Sequence, residues 1–444
     1  MMVRGEAEYE QARRAAVWNG RTPDRFPEVI VQAESVPDVI AAVKYAAEQN
    51  MRVGVRSGGH SWSGNHLRDG GMLLSVARLN SLEVDVEAKT AVVGPGFKGL
   101  TAALEPFGLS FPGGHDLDVG VGGYLLQGGF GWNGRVHGPA CMSVYAIDVV
   151  TADGQLVRAD DQHHPELLWA ARGSGPGFFG VVVAFHVRLY DAPRYIASSM
   201  LRFPFDVADE LFPWVQTIVA SLAREVELSI FIHRGEHGEP EITLTAPALA
   251  SSREEALTAL AVFADCPLRE RALESVLNAE VSLTELYAGV GTFYPAGARY
   301  AVDNMWTHAT AAELLPGIHE IAETLPPYPS AMMWNHWGGE SPTRPPMAFS
   351  VEDQTYLAVY GVWEDSADDD RYATWAEERM RAMAHLASGI QLADENLGRR
   401  PARFVSEENL RRLDEIRHRY DPHDRFHAWM GRPSPATADA ATGA

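Results

Sequence analysis

The sequence predicts an α+β protein in two parts, a glycine-rich N-terminal part and a second domain with an antiparallel sheet flanked by helices. Three observations carry this expectation. The chain has 444 residues and 46% apolar content, enough for two cores of ordinary size. Glycines crowd residues 112–134 but alternate with Val, Tyr, Leu, Phe and Trp, which is not the polar composition of a linker. Beyond Asp191-Ala192-Pro193, hairpin-like strands alternate with helical stretches.

Taken in order, residues 5–17 read as a short helix and 27–33 as a strand. Ser35 has the character of an N-cap, with Asp38 at the capping-box position and Pro37 tolerated in the first turn. The helix it opens runs to about Asn50, with Val39, Ile40, Val43, Ala46 and Ala47 on one side. Met51–Val55 is the next strand, so a β-α-β unit delivers the loop that follows. Strands are predicted near 71–79, 82–93 (two short ones), 144–151 and 181–189, and helices near 100–107 and 165–171. In the second part, strands are predicted near 197–203, 227–233, 241–245, 331–337 and 355–363. Helices are predicted near 207–223, 252–264, 308–324, 368–387 and 411–420.

Charge and cysteine usage narrow the function. The formal charge is −22, from 37 basic and 59 acidic side chains, and such a surface repels nucleic-acid phosphates and anionic membranes. Neither is an expected partner. The two cysteines, Cys141 and Cys266, make neither a disulfide framework nor a metal cluster, and no metal is expected. Residues 1–14 are charged and lack an apolar core, so Arg13-Arg14 reads as helix surface. No run approaches the roughly 18 apolar residues of a membrane span. A soluble, cytoplasmic protein is the expectation, with its oligomeric state open.

Arg56-Ser57-Gly58-Gly59-His60-Ser61 follows the strand of the β-α-β unit. Adjacent glycines let backbone press against a ligand, while Arg56 and exposed amides offer donors to an anion. His60 then stands at the wall of a phosphate-type cradle; the alternative is a surface turn with a solvated histidine. Gly94, Gly96 and Gly99 match the GxGxxG spacing, but they do not open a simple βαβ unit and no acidic residue closes the next strand. Chance or a different nucleotide fold accounts for them better than a dinucleotide fingerprint. In the glycine-dense run, Pro112-Gly113-Gly114, Gly120-Val121-Gly122-Gly123 and Gly128-Gly129-Phe130-Gly131 suggest packed backbone beside something flat or phosphorylated.

These strings, with Val149-Val150-Thr151-Ala152-Asp153-Gly154, Leu168-Trp169-Ala170-Ala171-Arg172-Gly173 and Tyr420-Asp421-Pro422-His423-Asp424-Arg425-Phe426, resemble the FAD-linked oxidases of the vanillyl-alcohol oxidase superfamily. The berberine-bridge-enzyme-like branch is the nearer likeness. The resemblance implies a PCMH-type FAD-binding domain over 1–192, completed by a returning segment over 399–432. It also implies a substrate domain over 193–398 whose antiparallel sheet roofs the flavin, and 433–444 reads as a disordered tail. His60 falls at the position that bonds the flavin. The rest of the cradle comprises Arg56, Ser57, Gly58, Gly59, Ser61, Pro112, Gly113, Gly114, Val119, Gly120, Gly122, Gly123, Gly128, Gly129, Gly131, Gly138 and Val149. Many relatives carry a second, cysteinyl bond, but Asp116 stands at that position and Cys141 lies beyond it, so a single histidyl link is expected. Val119 occupies the position that admits dioxygen in oxidases.

The resemblance implies hydride transfer from a hydroxyl-bearing substrate, a sugar, glycoside or specialised metabolite, to the flavin and then to dioxygen. The family's closing Tyr-x-Asn signature is not recognisable around 389–394, nor its His-Arg pair near Phe349-Ser350. The base is therefore sought locally. His336, in the cluster Asn335-His336-Trp337-Gly338-Gly339-Glu340, is a candidate with Glu340 orienting it or replacing it. Tyr294, Tyr300, Tyr356 and Tyr360 are alternatives; each of these residues reads equally as core packing. A dehydrogenase with another acceptor and a non-catalytic FAD-binding protein are the rival readings.

Overall fold

The computed structural model describes residues 1–339 and 343–432. Its first sheet holds β1 (Met2–Val3), β2 (Val29–Gln32), β3 (Val53–Arg56) and β4 (Met72–Ser75), in the order β1-β2-β4-β3. β4 runs parallel to both β2 and β3 and separates them. The helix Val36–Glu48 starts where expected: the Ser35 hydroxyl accepts from the Asp38 amide. Its buried stripe is Val39, Ala42, Val43 and Ala46, at helical spacing, and it packs on Val53, Met72 and Leu74. Ala47, expected on that stripe, is exposed.

The second sheet contains β5 (Leu82–Asp85) and β6 (Thr90–Val93); after β7 (Leu109–Ser110) come β8 (Val144–Val150), β9 (Leu156–Ala159) and β10 (Val181–Arg188). It is antiparallel, in the order β5-β6-β10-β8-β9, while β7 pairs with β11 (Tyr190–Asp191). Phe185 and Val187 are buried together with Ile147 and Val149 against the helix Pro165–Ala171. The glycine-dense run folds into short helices, Val121–Leu126 and Gly134–His137, which the glycines hid from a propensity reading.

The second part is organised on one antiparallel sheet of β12 (Tyr195–Pro204), β13 (Ser229–Arg234), β14 (Pro240–Ala250), β15 (Glu274–Glu280), β16 (Arg299–Thr307), β17 (Ala331–His336) and β18 (Thr355–Trp363). The order is β15-β12-β14-β13-β17-β18-β16. Helices Ala208–Val219, Arg253–Leu260, Ala311–Thr324 and Trp375–Ala382 bury apolar stripes against one face. The opposite face carries Trp306, Tyr356 and Tyr360 and packs with Trp18 and Trp62 of the N-terminal part. The helix Glu407–Tyr420 returns to the first part, where Leu413 and Ile416 join the core under the second sheet. Farther on, the Val53 amide donates to the Arg425 carbonyl at 2.7 Å and the His427 amide to the Val53 carbonyl at 3.0 Å. No helix among the described residues is long and apolar enough to cross a membrane.

Candidate active site and cofactor cradle

The Arg56–Ser61 loop meets the glycine string at Gly120 backbone to backbone. A Cβ on Gly58 would lie 2.6 Å from the Gly120 amide nitrogen, so only glycine allows the approach. The Ser57 hydroxyl accepts from the Gly123 amide at 3.1 Å and locks the two segments. Together they wall a cavity of about 350 Å³ between the N-terminal part and the seven-stranded sheet.

Of the expected cradle residues, Arg56, Ser57, Gly58, Gly59, His60, Ser61, Gly114, Val119, Gly120, Gly122, Gly123 and Gly131 line this cavity. Six do not. The Pro112 carbonyl accepts from Tyr124 Oη at 2.6 Å, and that of Gly113 from the Trp132 amide at 3.1 Å. Gly128 and Gly129 take positive φ and accept from the Cys141 and Ala140 amides. Gly138 ends the helix Gly134–His137, and Val149 is fully buried in β8. These six shape the wall from behind. Arg56 also differs from expectation: its guanidinium donates to the carbonyls of Ala16 and Gly58, both at 3.2 Å, and braces the loop instead of standing free for an anion. Gly175, Pro176, Phe178, Gly180, Val182 and His427 also line the cavity and were not expected there. The glycine loop at 173–177 was the available signal for the first two.

Gly94 and Gly96 press on the carbonyls of Leu79 and Ala77, where a Cβ would come within 2.2 Å. They serve chain packing, which accounts for the stray GxGxxG spacing.

His60 stacks on Trp18 with ring centroids 4.3 Å apart and meets Trp62 edge-on at 5.7 Å. Its Nε2 lies 3.4 Å from Asp116 Oδ2 but out of line for a hydrogen bond, and it is buried without another partner among the described residues. Burial works to raise the Asp116 carboxyl, but His60 and the Asp118 amide outweigh it and hold the group below the usual carboxylate range. Cys141 is fully buried beside Met347 and Phe349, outside the cavity wall, and burial pushes its thiol up to about 12. Such a thiol is a poor nucleophile.

Asp394 gathers donors from separate stretches. Tyr356 Oη donates to its Oδ2, Tyr360 Oη donates to the same oxygen at 2.9 Å, and Trp62 Nε1 donates to Oδ1 at 2.6 Å. Tyr294 meets Tyr360 edge-on at 5.3 Å. All of these side chains line the cavity. Burial, then Asp394, pushes the phenols of Tyr356 and Tyr360 well above their ordinary value. Asp394 is itself held from behind, because Asn304 Nδ2 donates to the carbonyls of Gln391 and Asp394, at 3.0 and 2.8 Å. Asp394 was not among the expected site residues: its partners lie far away in sequence, and no local pattern marks it.

His336 does not reach the cavity. Side chains alternate along β17, so Met333 and Asn335 face the cavity while Met332 and Trp334 join the helix-side core. His336 follows the second set and stacks on Trp334 at 6.4 Å. Burial, reinforced by Arg135, pushes its imidazole down to about 3. The expectation of His336 as base is thus corrected by one position of register, and its neighbour Asn335 takes the cavity face. Glu340 lies outside the described residues. Tyr294 and Tyr356 do line the cavity, whereas Tyr300 donates to the Pro295 carbonyl at 2.6 Å. Among the described residues no group of His, Cys, Asp and Glu has the grouping to hold a metal ion.

Residues 27–160 match the family model of an FAD binding domain. The chain is 32% identical over 433 residues to the FAD-linked oxidoreductase nodO of Hypoxylon pulicicidum, covering 94% of each. Its fold is similar to the crystal structure of 6-hydroxy-D-nicotine oxidase from Arthrobacter nicotinovorans, with a TM-score of 0.84, 23% identity and 96% of each chain covered. It is also similar to xylooligosaccharide oxidase from Myceliophthora thermophila in complex with xylobiose, with a TM-score of 0.80, 22% identity and coverage of 98% and 97%.

Proposed function

This chain belongs to the FAD-linked oxidoreductases of the vanillyl-alcohol oxidase superfamily, in the berberine-bridge-enzyme-like branch, and from that premise we propose that it is an oxidase of a hydroxyl-bearing organic substrate with Asp394 as proton acceptor. The observation that carries the reading is the convergence of Tyr356, Tyr360 and Trp62 on one carboxylate at the cavity wall.

The cradle suits FAD on two counts. The backbone of Gly58, Gly59, Gly120, Gly122 and Gly123 lines the cavity, and the buried Nε2 of His60 makes no hydrogen bond among the described residues. The Ser57–Ser61 loop and the Gly120–Gly123 string would hold the cofactor, with His60 as its single covalent tether and Asp116 in place of a second one. Bound there, FAD supplies the hydride acceptor for the substrate carbon and the route by which electrons reach dioxygen, released as hydrogen peroxide.

The chain's own part is binding and proton transfer. Trp62, Trp306 and Trp337 offer apolar surface to the substrate body, and Val119 stands in the wall where the resemblance implies oxygen access. The substrate hydroxyl meets Tyr356 Oη. As the carbon is oxidised, that proton passes to Tyr356 while the Tyr356 proton moves to Asp394 Oδ2. Burial keeps Tyr356 a phenol at neutral pH, so it relays a proton and does not begin as a phenolate. Proteins of similar fold named as oxidases of a nicotine derivative and of a xylooligosaccharide differ in the body of the molecule they take.

The test is anaerobic mixing with a panel of alcohols, sugars and amines, followed by readmission of air. An alcohol or sugar is expected to bleach the flavin, and air to restore it with stoichiometric peroxide. Bleaching without peroxide would indicate a dehydrogenase, and a reducible flavin that no compound bleaches would indicate a non-catalytic protein. The tether is read separately: acid-denatured protein keeps its flavin, and the His60→Ala protein releases it.

A further inference from the structure

The seven-stranded sheet presents one in-register row to the cavity, Thr245, Ser229, Asn335 and Tyr356, on β14, β13, β17 and β18. Neighbouring strands lie about 4.8 Å apart, so Asn335 stands one strand spacing from the tyrosine of the relay. Its Nδ2 donates to Ser229 Oγ at 2.9 Å. That bond fixes the amide and leaves Oδ1 with no partner among the described residues. From the adjacent row on the same face, Phe231 and Met333 line the cavity with apolar side chains, and Phe231 stacks on Phe293 at 4.7 Å. One hydrogen-bonding edge therefore runs beside an apolar bed.

A polar side chain on a largely apolar sheet face is costly unless its hydrogen-bonding atoms are satisfied. A purely structural asparagine would spend both ends inside the protein, but Asn335 spends one and turns the other to the cavity. We infer that Asn335, oriented by Ser229, determines specificity by accepting a hydrogen bond from a second hydroxyl or N–H of the substrate. That donor sits toward β17 from the hydroxyl presented to Tyr356, along the same row. The substrate class is an apolar-bodied molecule, laid on Phe231 and Met333, with two polar groups along one edge. The inference rests on the alcohol-oxidase reading and adds the second recognition point to it.

The probes are the meta isomer of benzenedimethanol, its mono-methyl ether and benzyl alcohol, mixed anaerobically with wild-type protein and with Asn335→Leu and Ser229→Ala. The diol is expected to bleach wild type with the lowest Kd, read from the concentration dependence of the bleaching rate. Asn335→Leu should raise that Kd by about tenfold or more with the limiting rate of bleaching little changed, because a site built for a donor loses only the compounds that carry it. Ser229→Ala should give a smaller rise, and in both variants the rise for the diol should clearly exceed any change for the ether or benzyl alcohol. Unchanged flavin content and unfolding midpoint separate this from misfolding. Equal effects on all three probes, or no effect on the diol, would overturn the inference and leave the oxidase reading standing. If none of the three bleaches wild type, the alcohol chemistry fails for this class and the inference falls with it.

Discussion

Asp394 is an acceptor by virtue of what surrounds it. Two phenols and an indole N–H point at its two oxygens, and the cavity beyond Tyr356 is where a hydroxyl would be presented. Tyr356→Phe removes the hydroxyl that donates to Asp394 and that the proposed relay places between substrate and carboxylate. It is expected to lower kcat by roughly 10²-fold, the lower end for a positioned proton-transfer group, with flavin content unchanged. Because the Tyr356 phenol titrates far above neutrality, the wild-type rate should show no basic limb from its ionisation over an ordinary assay range. Legibility at this scale was uneven, for physical reasons. His60 was readable because adjacent glycines announce a close backbone approach. His336 and Asn335 were confused because a strand's period of two leaves the face undecided until the register is known. Asp394 was unreadable because its donors come from Trp62, Tyr356 and Tyr360, which only the fold brings together.

At the scale of elements, the segment 391–400 binds the two parts of the protein across the cavity. Glu395 accepts from Ser63 Oγ at 2.6 Å and from Asn65 Nδ2 at 3.1 Å, next to the His60 loop. From the other side, Arg400 Nε donates to Asp303 Oδ2 of β16 at 2.8 Å, and both side chains are buried. Burial works to raise the Asp303 carboxyl and Arg400 opposes it. Arg400→Met would leave that carboxylate buried without its cation. The expected loss is about 3–5 kcal/mol in chemical denaturation, the range for breaking a buried pair from one side. A loss below about 1 kcal/mol would mean the pair behaves like an exposed one. β16 escaped the sequence reading for a related reason: Asp303 and Asn304 interrupt its apolar run, and their justification lies in the 391–400 segment. β15 escaped because its exposed edge position asks for little apolar content.

The whole molecule places a glycine-built cradle under one antiparallel sheet and seals it with a C-terminal segment. Its pH response follows from the buried imidazoles. His66 and His336 are pushed from the ordinary 6.5 down to about 3, chiefly by burial and then by nearby Arg56 and Arg135. Their folded values are depressed, so the stability they contribute is complete above the unfolded value and is lost as pH falls toward about 3. Each can contribute up to about 1.4 kcal/mol per pH unit in that window. His115, paired with Glu227, is raised overall despite burial and works in the opposite direction. Urea denaturation at pH 7 and pH 5 should therefore show marked destabilisation in acid, and His336→Gln should reduce that difference. An equal difference in the variant would remove His336 from the account. The division into two parts and the antiparallel sheet of the second were legible from composition and alternation. The cavity between them was not, since it depends on which face each strand turns inward.

Proton transfer to Asp394 is read by anaerobic stopped-flow reduction of the flavin in wild-type and Asp394→Asn protein by the same alcohol. Asp394→Asn should keep its flavin and slow the reduction step by roughly 10²–10⁴-fold, with reoxidation by dioxygen unaltered. Reduction at the wild-type rate in the variant would rule Asp394 out as the acceptor.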